Sequence, residues 1–117
     1  MSSKADLPKE ARITKEYRRL KKVLKTLDKN LLATVEPLIR NAAFMTVSLD
    51  ELQDIINAEG YIDEYQNGAN QSGQKQSTAV KTHIQMTRNH AAVMKQLADL
   101  TPPVPKKSDW LQELIDE

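Results

Sequence analysis

His83 and His90 are the only histidines in the chain. On a helix their spacing puts both imidazoles on one face but roughly 10 Å apart along the axis, too far to share a metal ion. No acidic ligand stands between them, so they read as two histidines on a basic helix face. Carboxylates gather in "LDELQDIINAE", as Asp50, Glu51, Asp54 and Glu59. Asp50 and Asp54 lie one turn apart and could chelate a cation weakly, but a solvated acidic face is the simpler reading. There is no cysteine, which removes disulfides, thiolate metal sites and Cys nucleophiles. No Gly-rich phosphate loop, zinc spacing or nucleophile beside a local base is present. The expectation is a chain with no catalytic residues, no metal and no cofactor.

The stronger chemistry is in "ITKEYRRLKKVLKTL". Ile13, Tyr17, Leu20, Leu24 and Leu27 alternate at spacings of four and three, which is one stripe of a helix. Arg12, Lys15, Arg18, Arg19, Lys22, Lys25 and Lys29 then fall on the outer positions, and Lys21 flanks the seam. Glu10 and Glu16 are the only acids of this helix, so most of the cations lack a partner one turn away. Three readings stay open. The face is solvated, it meets the acidic middle of another copy, or it neutralises nucleic-acid phosphates with release of counterions. The short turn of a helix-turn-helix reader is absent, so base specificity is unsupported. Lys75, Lys81, Arg88, Lys95, Lys106 and Lys107 offer a second basic surface.

The last residues, "SDWLQELIDE", carry Trp110, Leu111, Leu114 and Ile115 on one face of a short acidic helix. So short a helix is unstable alone in water. It is expected to anchor in a groove of a basic partner, or else to fold back on the chain's own basic helix.

These residues must be positioned by helices. The first is expected from about Pro8 to Leu27, with Asp6 as an N-cap and residues 1–7 disordered before it. The second spans about 29–58, entered through Asp28 or Asn30 and closed by Gly60. Its seam runs Leu31, Val35, Leu38, Ala42, Met45, Leu49, Leu52, Ile56, and Pro37 inside it predicts a kink or break near Glu36. A second apolar line, Leu32, Ile39, Ala43 and Val47, is assigned to a neighbouring subunit, the alternative being packing on the third helix of the same chain. That helix is expected over 77–99, with Val80, Ile84, Thr87, Ala91, Met94 and Ala98 in one register and Leu97 alongside. Between them, residues 60–76 read as a long polar loop with Asn67-Gly68 as a turn. Tyr61, Ile62 and Tyr65 would pin it to the bundle. "TPPVPKK" stops the third helix and makes a stiff linker over 102–107 before the tail at 108–117.

The totals agree with this picture. The chain has 117 residues, enough for one small domain. Apolar residues make up 39% and charged residues 28%, while aromatics are only 4%. That favours helices packed through aliphatic side chains, so the predicted fold is all-α: a helical hairpin or three-helix bundle with coiled-coil-like packing and a detached short C-terminal helix. The formal net charge of +1 hides segregation: +6 over residues 1–29, −6 over 30–74, +5 over 75–107 and −4 over 108–117. No apolar run approaches the roughly 20 residues of a membrane span, and "MSSKADLPKE" lacks the apolar core of a signal peptide.

Together, "ITKEYRRLKKVLKTLDKN", "LIRNAAFM" with "LDELQDIINAEG", "YQNGANQSGQKQS" and "MKQLADLTPP" resemble the phage terminase small-subunit family over residues 13–103. The shared order is a basic amphipathic helix, a long helix ending at Glu-Gly, a polar loop with Tyr-Gln-Asn-Gly, and a helix stopped by proline. The resemblance implies a non-catalytic adaptor in the host bacterial cytoplasm. It would form a homo-oligomeric ring, bind double-stranded viral DNA, and recruit and regulate the large terminase subunit. The basic faces would then serve DNA, the spare stripe the ring, and the tail the large subunit. The alternative is a protein-only helical adaptor or regulatory factor from a mobile element, whose basic face meets an acidic protein.

Overall fold

The computed structural model describes residues 7–66, 68, 72–101 and 114–115. Three helices pack together and a small antiparallel hairpin is inserted between the second and third: α1 (Lys9–Val23), α2 (Lys29–Glu59), β1 (Ile62–Gln66), β2 (Ser72–Gln76) and α3 (Thr78–Ala98).

Local chemistry sets the boundaries. α1 starts after Pro8, whose ring fixes φ and whose missing N–H is no loss at a helix start. Asp6, expected as its cap, lies outside the described residues. Glu10 in the first turn and Lys21 and Lys22 in the last complement the helix dipole. The helix ends one turn earlier than its apolar stripe suggests, and Leu24 to Leu27 form a turn closed by the Leu27 N–H on the Leu24 carbonyl at 3.0 Å. Asp28 caps α2 by accepting from the N–H groups of Asn30 and Leu31 at 3.1 and 3.3 Å. Ser77, buried, caps α3 by accepting from the Val80 N–H at 3.3 Å.

Of the kink or break expected near Glu36, the break does not occur: α2 runs on through Pro37 as one helix. Pro37 cannot donate to the carbonyl of Ala33. Both residues are exposed, so water can satisfy that oxygen without disturbing the core.

The core joins all three helices. Leu20 and Leu24 meet Val35, Ile39, Ala42 and Ala43 of α2 and Leu97 of α3, with Ile13, Tyr17, Leu31, Leu32, Val93 and Met94 packed around them. The second apolar line of α2 is therefore internal: Ile39 and Ala43 have no exposed surface, Val47 is 4% exposed, and Leu32 packs against the core. Assigning that line to another subunit is corrected by this burial. In α3 the inward face is also turned from the expected register. Leu97 is buried and Val93 and Met94 are half-buried, whereas Ile84, Thr87, Ala91 and Ala98 are exposed. Burying Leu97 removes more apolar area from water than burying either alanine, and area decides the rotation.

The stretch read as a polar loop is the hairpin, so the molecule is mostly helical rather than all-α. Ile62 pairs with Gln76, Asp63 with Lys75, Glu64 with Gln74, Tyr65 with Gly73 and Gln66 with Ser72. Tyr65 lies over Gly73, where a β-carbon would stand 2.7 Å from the phenol oxygen. The aromatic ring covers the bare glycine, a pairing that compensates for glycine in a strand. The hairpin is tied to α3 by the Ser77 N–H on the Tyr61 carbonyl at 2.9 Å and the Thr78 N–H on the Asp63 carboxylate at 3.1 Å.

Candidate nucleic-acid interface

The seam of α1 fixes which side chains face outward. With Leu20 buried and Ile13 and Tyr17 held against the core, Lys15, Arg18, Arg19 and Lys22 stand exposed on the opposite side. Lys25 in the following turn and Lys29 at the start of α2 are exposed as well. Lys15, Arg18 and Lys22 follow one another at spacings of three and four on α1, about 10 Å at helical rise, and Lys25 follows in the turn beyond its end. Among the described residues, none of these four makes an ion pair. Their mutual repulsion is unrelieved within the described chain.

The other cations of the set behave differently. Arg19 is clamped by Glu16 through its Nε, at 3.1 and 3.0 Å from the two carboxylate oxygens, and its Nη2 bonds one of them too. That hydrogen bonding, then the carboxylate charge, raises the guanidinium pKa further above its ordinary value. Arg12 is half-buried, with its Nε withdrawn from solvent and unpartnered. It turns towards the body and away from the basic line. Lys9 reaches across to Glu51 at 2.8 Å and sits over the Phe44 ring at 4.8 Å.

One further cation joins this surface without belonging to the basic helix. Arg40 of α2 lies over the Tyr17 ring at 4.7 Å, and Lys21 approaches the same ring at 5.4 Å. Tyr17 donates its hydroxyl to Glu36 at 2.6 Å, and Arg40 donates to the same oxygen at 2.9 Å. These two hydrogen bonds, the tyrosine's first, hold the Glu36 carboxyl below the usual carboxylate range. Ile13, Thr14, Tyr17, Arg18 and Arg40 together line a shallow notch. Sequence reasoning missed Arg40. The available signal was that it is the sole cation in residues 30–74. An isolated cation in an acidic segment invites the question of what it faces.

The histidines do not meet. His90 Nε2 lies 2.9 Å from the Thr46 hydroxyl. That hydroxyl also lies 2.9 Å from the Ala42 carbonyl, to which it donates. His83 lies beside Thr87 on its own helix. Among the described residues no group of three or more His, Asp or Glu side chains could hold a metal ion.

On the second basic surface Lys75, Lys81, Arg88 and Lys95 are exposed, and Lys95 pairs with Asp99 at 3.0 Å. Lys106 and Lys107 lie outside the described residues, as do Trp110 and Leu111 of the tail. Leu114 and Ile115 are in helical conformation and stand 54% and 73% exposed. Towards the opposite end of α2, Ile55, Tyr61, Ile62, Tyr65 and Ile84 are each exposed, Ile62 and Tyr65 on opposite faces of β1. The two tyrosines and Ile62, expected from the sequence to pin their segment to the bundle, face solvent instead. Among the described residues no helix is long and apolar enough to cross a membrane. No known family, curated protein or solved structure matches the chain.

Proposed function

We propose that this protein is a non-catalytic DNA-packaging adaptor of the small terminase kind, binding duplex DNA through the outer face of α1. The observation that carries the reading is the set Lys15, Arg18 and Lys22 on α1 with Lys25 in the turn after it, all exposed, on a helix anchored by its other face, and free of carboxylate partners among the described residues. Phosphates neutralise such a set without reading sequence, and the gain comes mainly from counterion release. Lys29 extends it; Arg19, already paired, contributes less. The resemblance supplies the remaining parts: copies assemble into a ring, and the acidic tail recruits the large subunit. With the Ile39 line occupied inside the chain, the surface proposed for assembly is the open apolar end bearing Ile55, Tyr61, Ile62, Tyr65 and Ile84.

The test is a DNA titration at several salt concentrations with Arg18→Gln, Lys22→Gln and Lys25→Gln combined. Binding should weaken equally on unrelated sequences, and the salt slope should fall by about one for each phosphate that is no longer neutralised. Unchanged binding would remove DNA from this face. If the parent protein fails to shift duplex DNA even at low salt, the protein-only adaptor stands in its place.

A further inference from the structure

From Tyr65 to Ala98 the chain contains no aspartate or glutamate. That stretch holds β2 and the whole of α3. Elsewhere an exposed arginine has its carboxylate one turn away, as Arg19 has Glu16 and Arg40 has Glu36. On α3, among the described residues, the one such pair is Lys95 with Asp99, which stands at the C-cap. Lys81 and Arg88 make no ion pair among the described residues.

The packing of α3 fixes what it shows to solvent. Leu97 is buried, Val93, His90 and Met86 are half-buried, and His90 lies against Thr46 of α2. These residues recur at spacings of three and four and mark the inward face. Lys81, Arg88 and Lys95 recur at a spacing of seven on the opposite side, and all three are exposed. The row is about 21 Å long at helical rise. Between its cations stand Gln85, Ala91 and Ala92, exposed and uncharged.

This composition differs from that of α1. There Lys15, Arg18, Arg19 and Lys22 crowd the outer positions, which suits phosphates alone. On α3 the charges are spread out. The groups between them are an amide that donates and accepts together, and two alanines small enough to let a helix backbone come close. A helix about 10–12 Å across fits the major groove of B-DNA, about 12 Å wide. In that groove arginine pairs with O6 and N7 of guanine, glutamine with N6 and N7 of adenine, and alanine meets the thymine methyl. Cations at the two ends of the row suit the phosphates on the groove walls.

We infer that the outer face of α3 enters the major groove of duplex DNA, with Arg88 and Gln85 on base edges and Lys81 and Lys95 on flanking phosphates. The bundle holds α3 in place, so no helix-turn-helix is required. Sequence preference then comes from α3, and affinity without preference from α1. The inference rests on the DNA reading above and adds to it a surface on a different helix.

The test is selection of bound duplexes from a random pool by the full chain, followed by titration of the selected site and of an unrelated duplex. The selected site should contain a G·C pair that Arg88→Ala no longer prefers. Its loss should be about tenfold or more on that site and much smaller on the unrelated duplex. Gln85→Ala removes no charge, so it should relax the preference at one base pair and keep the salt slope of the parent. Replacing the guanine N7 by C–H alters the major-groove edge alone, so it should weaken the parent protein and not Arg88→Ala. Helical circular dichroism of both variants should match the parent, since both positions are exposed. DNA bound without any preferred sequence overturns the role of α3 and leaves the α1 face standing. A preference that survives Arg88→Ala with Gln85→Ala does the same. A parent chain that shifts no duplex at low salt overturns both.

Discussion

The two ends of α2 are used in opposite ways. Around Val35, Ile39, Ala42 and Ala43 the helix is enclosed by α1 and α3, and its large apolar groups lie out of water. Around Ile55 and the hairpin, Ile62, Tyr65 and Tyr61 stand 55%, 44% and 72% exposed. The first end commits its apolar surface to the chain's own stability. The second keeps it uncommitted, on a two-stranded hairpin that would be marginal alone and depends on its ties to α3. The lesson is that stability and association are drawn from different segments, so substitutions should separate them.

The sharpest way to break this contrast is at the enclosed end. Ile39→Ala should lower the unfolding free energy by about 2–5 kcal/mol, read from denaturant unfolding, because no exposed surface is available to relax into the cavity. A loss under about 1 kcal/mol would mean that the core is not continuous there. Where α2 gives way to the hairpin, Gly60 has φ 83° and ψ −166°, a region essentially reserved for glycine. Gly60→Ala should cost about 1–3 kcal/mol and also loosen the hairpin, visible as faster amide exchange in β1 and β2. Its effect tells how firmly the hairpin is joined to α2.

At the open end, Ile62→Ser should change unfolding free energy by no more than about 0.5 kcal/mol, since the side chain is mostly in water already. The same substitution should lower the solution mass measured by light scattering, if this end holds copies together. Equal mass before and after would leave the open surface without a role in assembly.

The smallest effect is electrostatic. Glu36 has a carboxyl pKa held down in the folded protein, so its contribution is present above the unfolded value of about 4.3 and is lost as pH falls through the folded value. Stability of the parent and of Glu36→Gln should therefore differ at neutral pH and converge on acidification. A difference that persists at low pH would point to packing around Tyr17 rather than charge.

The four-three spacing of α1 and α2 is legible because large aliphatic residues recur there without competition. α3 is harder: its alanines repeat as regularly as its larger residues, and only size separates Leu97 and Val93 from Ala91 and Ala98. The internal role of Ile39, Ala43 and Val47 is easily misread because a helix flanked by two partners needs two apolar lines, which resemble one line plus a spare. The hairpin is hidden by its composition, since Gln, Ser, Lys and Gly fill strands that bury almost nothing. Asn67-Gly68 and the sheer length of the polar stretch are the available hints, because a long structureless loop inside a small domain is itself improbable. Of the basic face, the row Lys15, Arg18 and Lys22 can be read from spacing. Arg40, Arg12's withdrawal and the Tyr17–Glu36 bond depend on how α1 lies across α2, and no local pattern carries that.

The pairing of each element with its neighbour along the chain has a consequence for how the molecule comes into being. α1 packs chiefly on α2, β1 on β2, and α2 on α3. Partners so close in sequence demand little loop closure, so folding is expected in the microsecond-to-millisecond range. During synthesis α1 can lie down on the first half of α2 before the hairpin has left the ribosome. Because α2 runs on through Pro37 as one helix, the half already packed serves as a template for the half still emerging. The α1–α2 part of the stable end can thus form before the hairpin emerges, and Leu97 of α3 closes the core last.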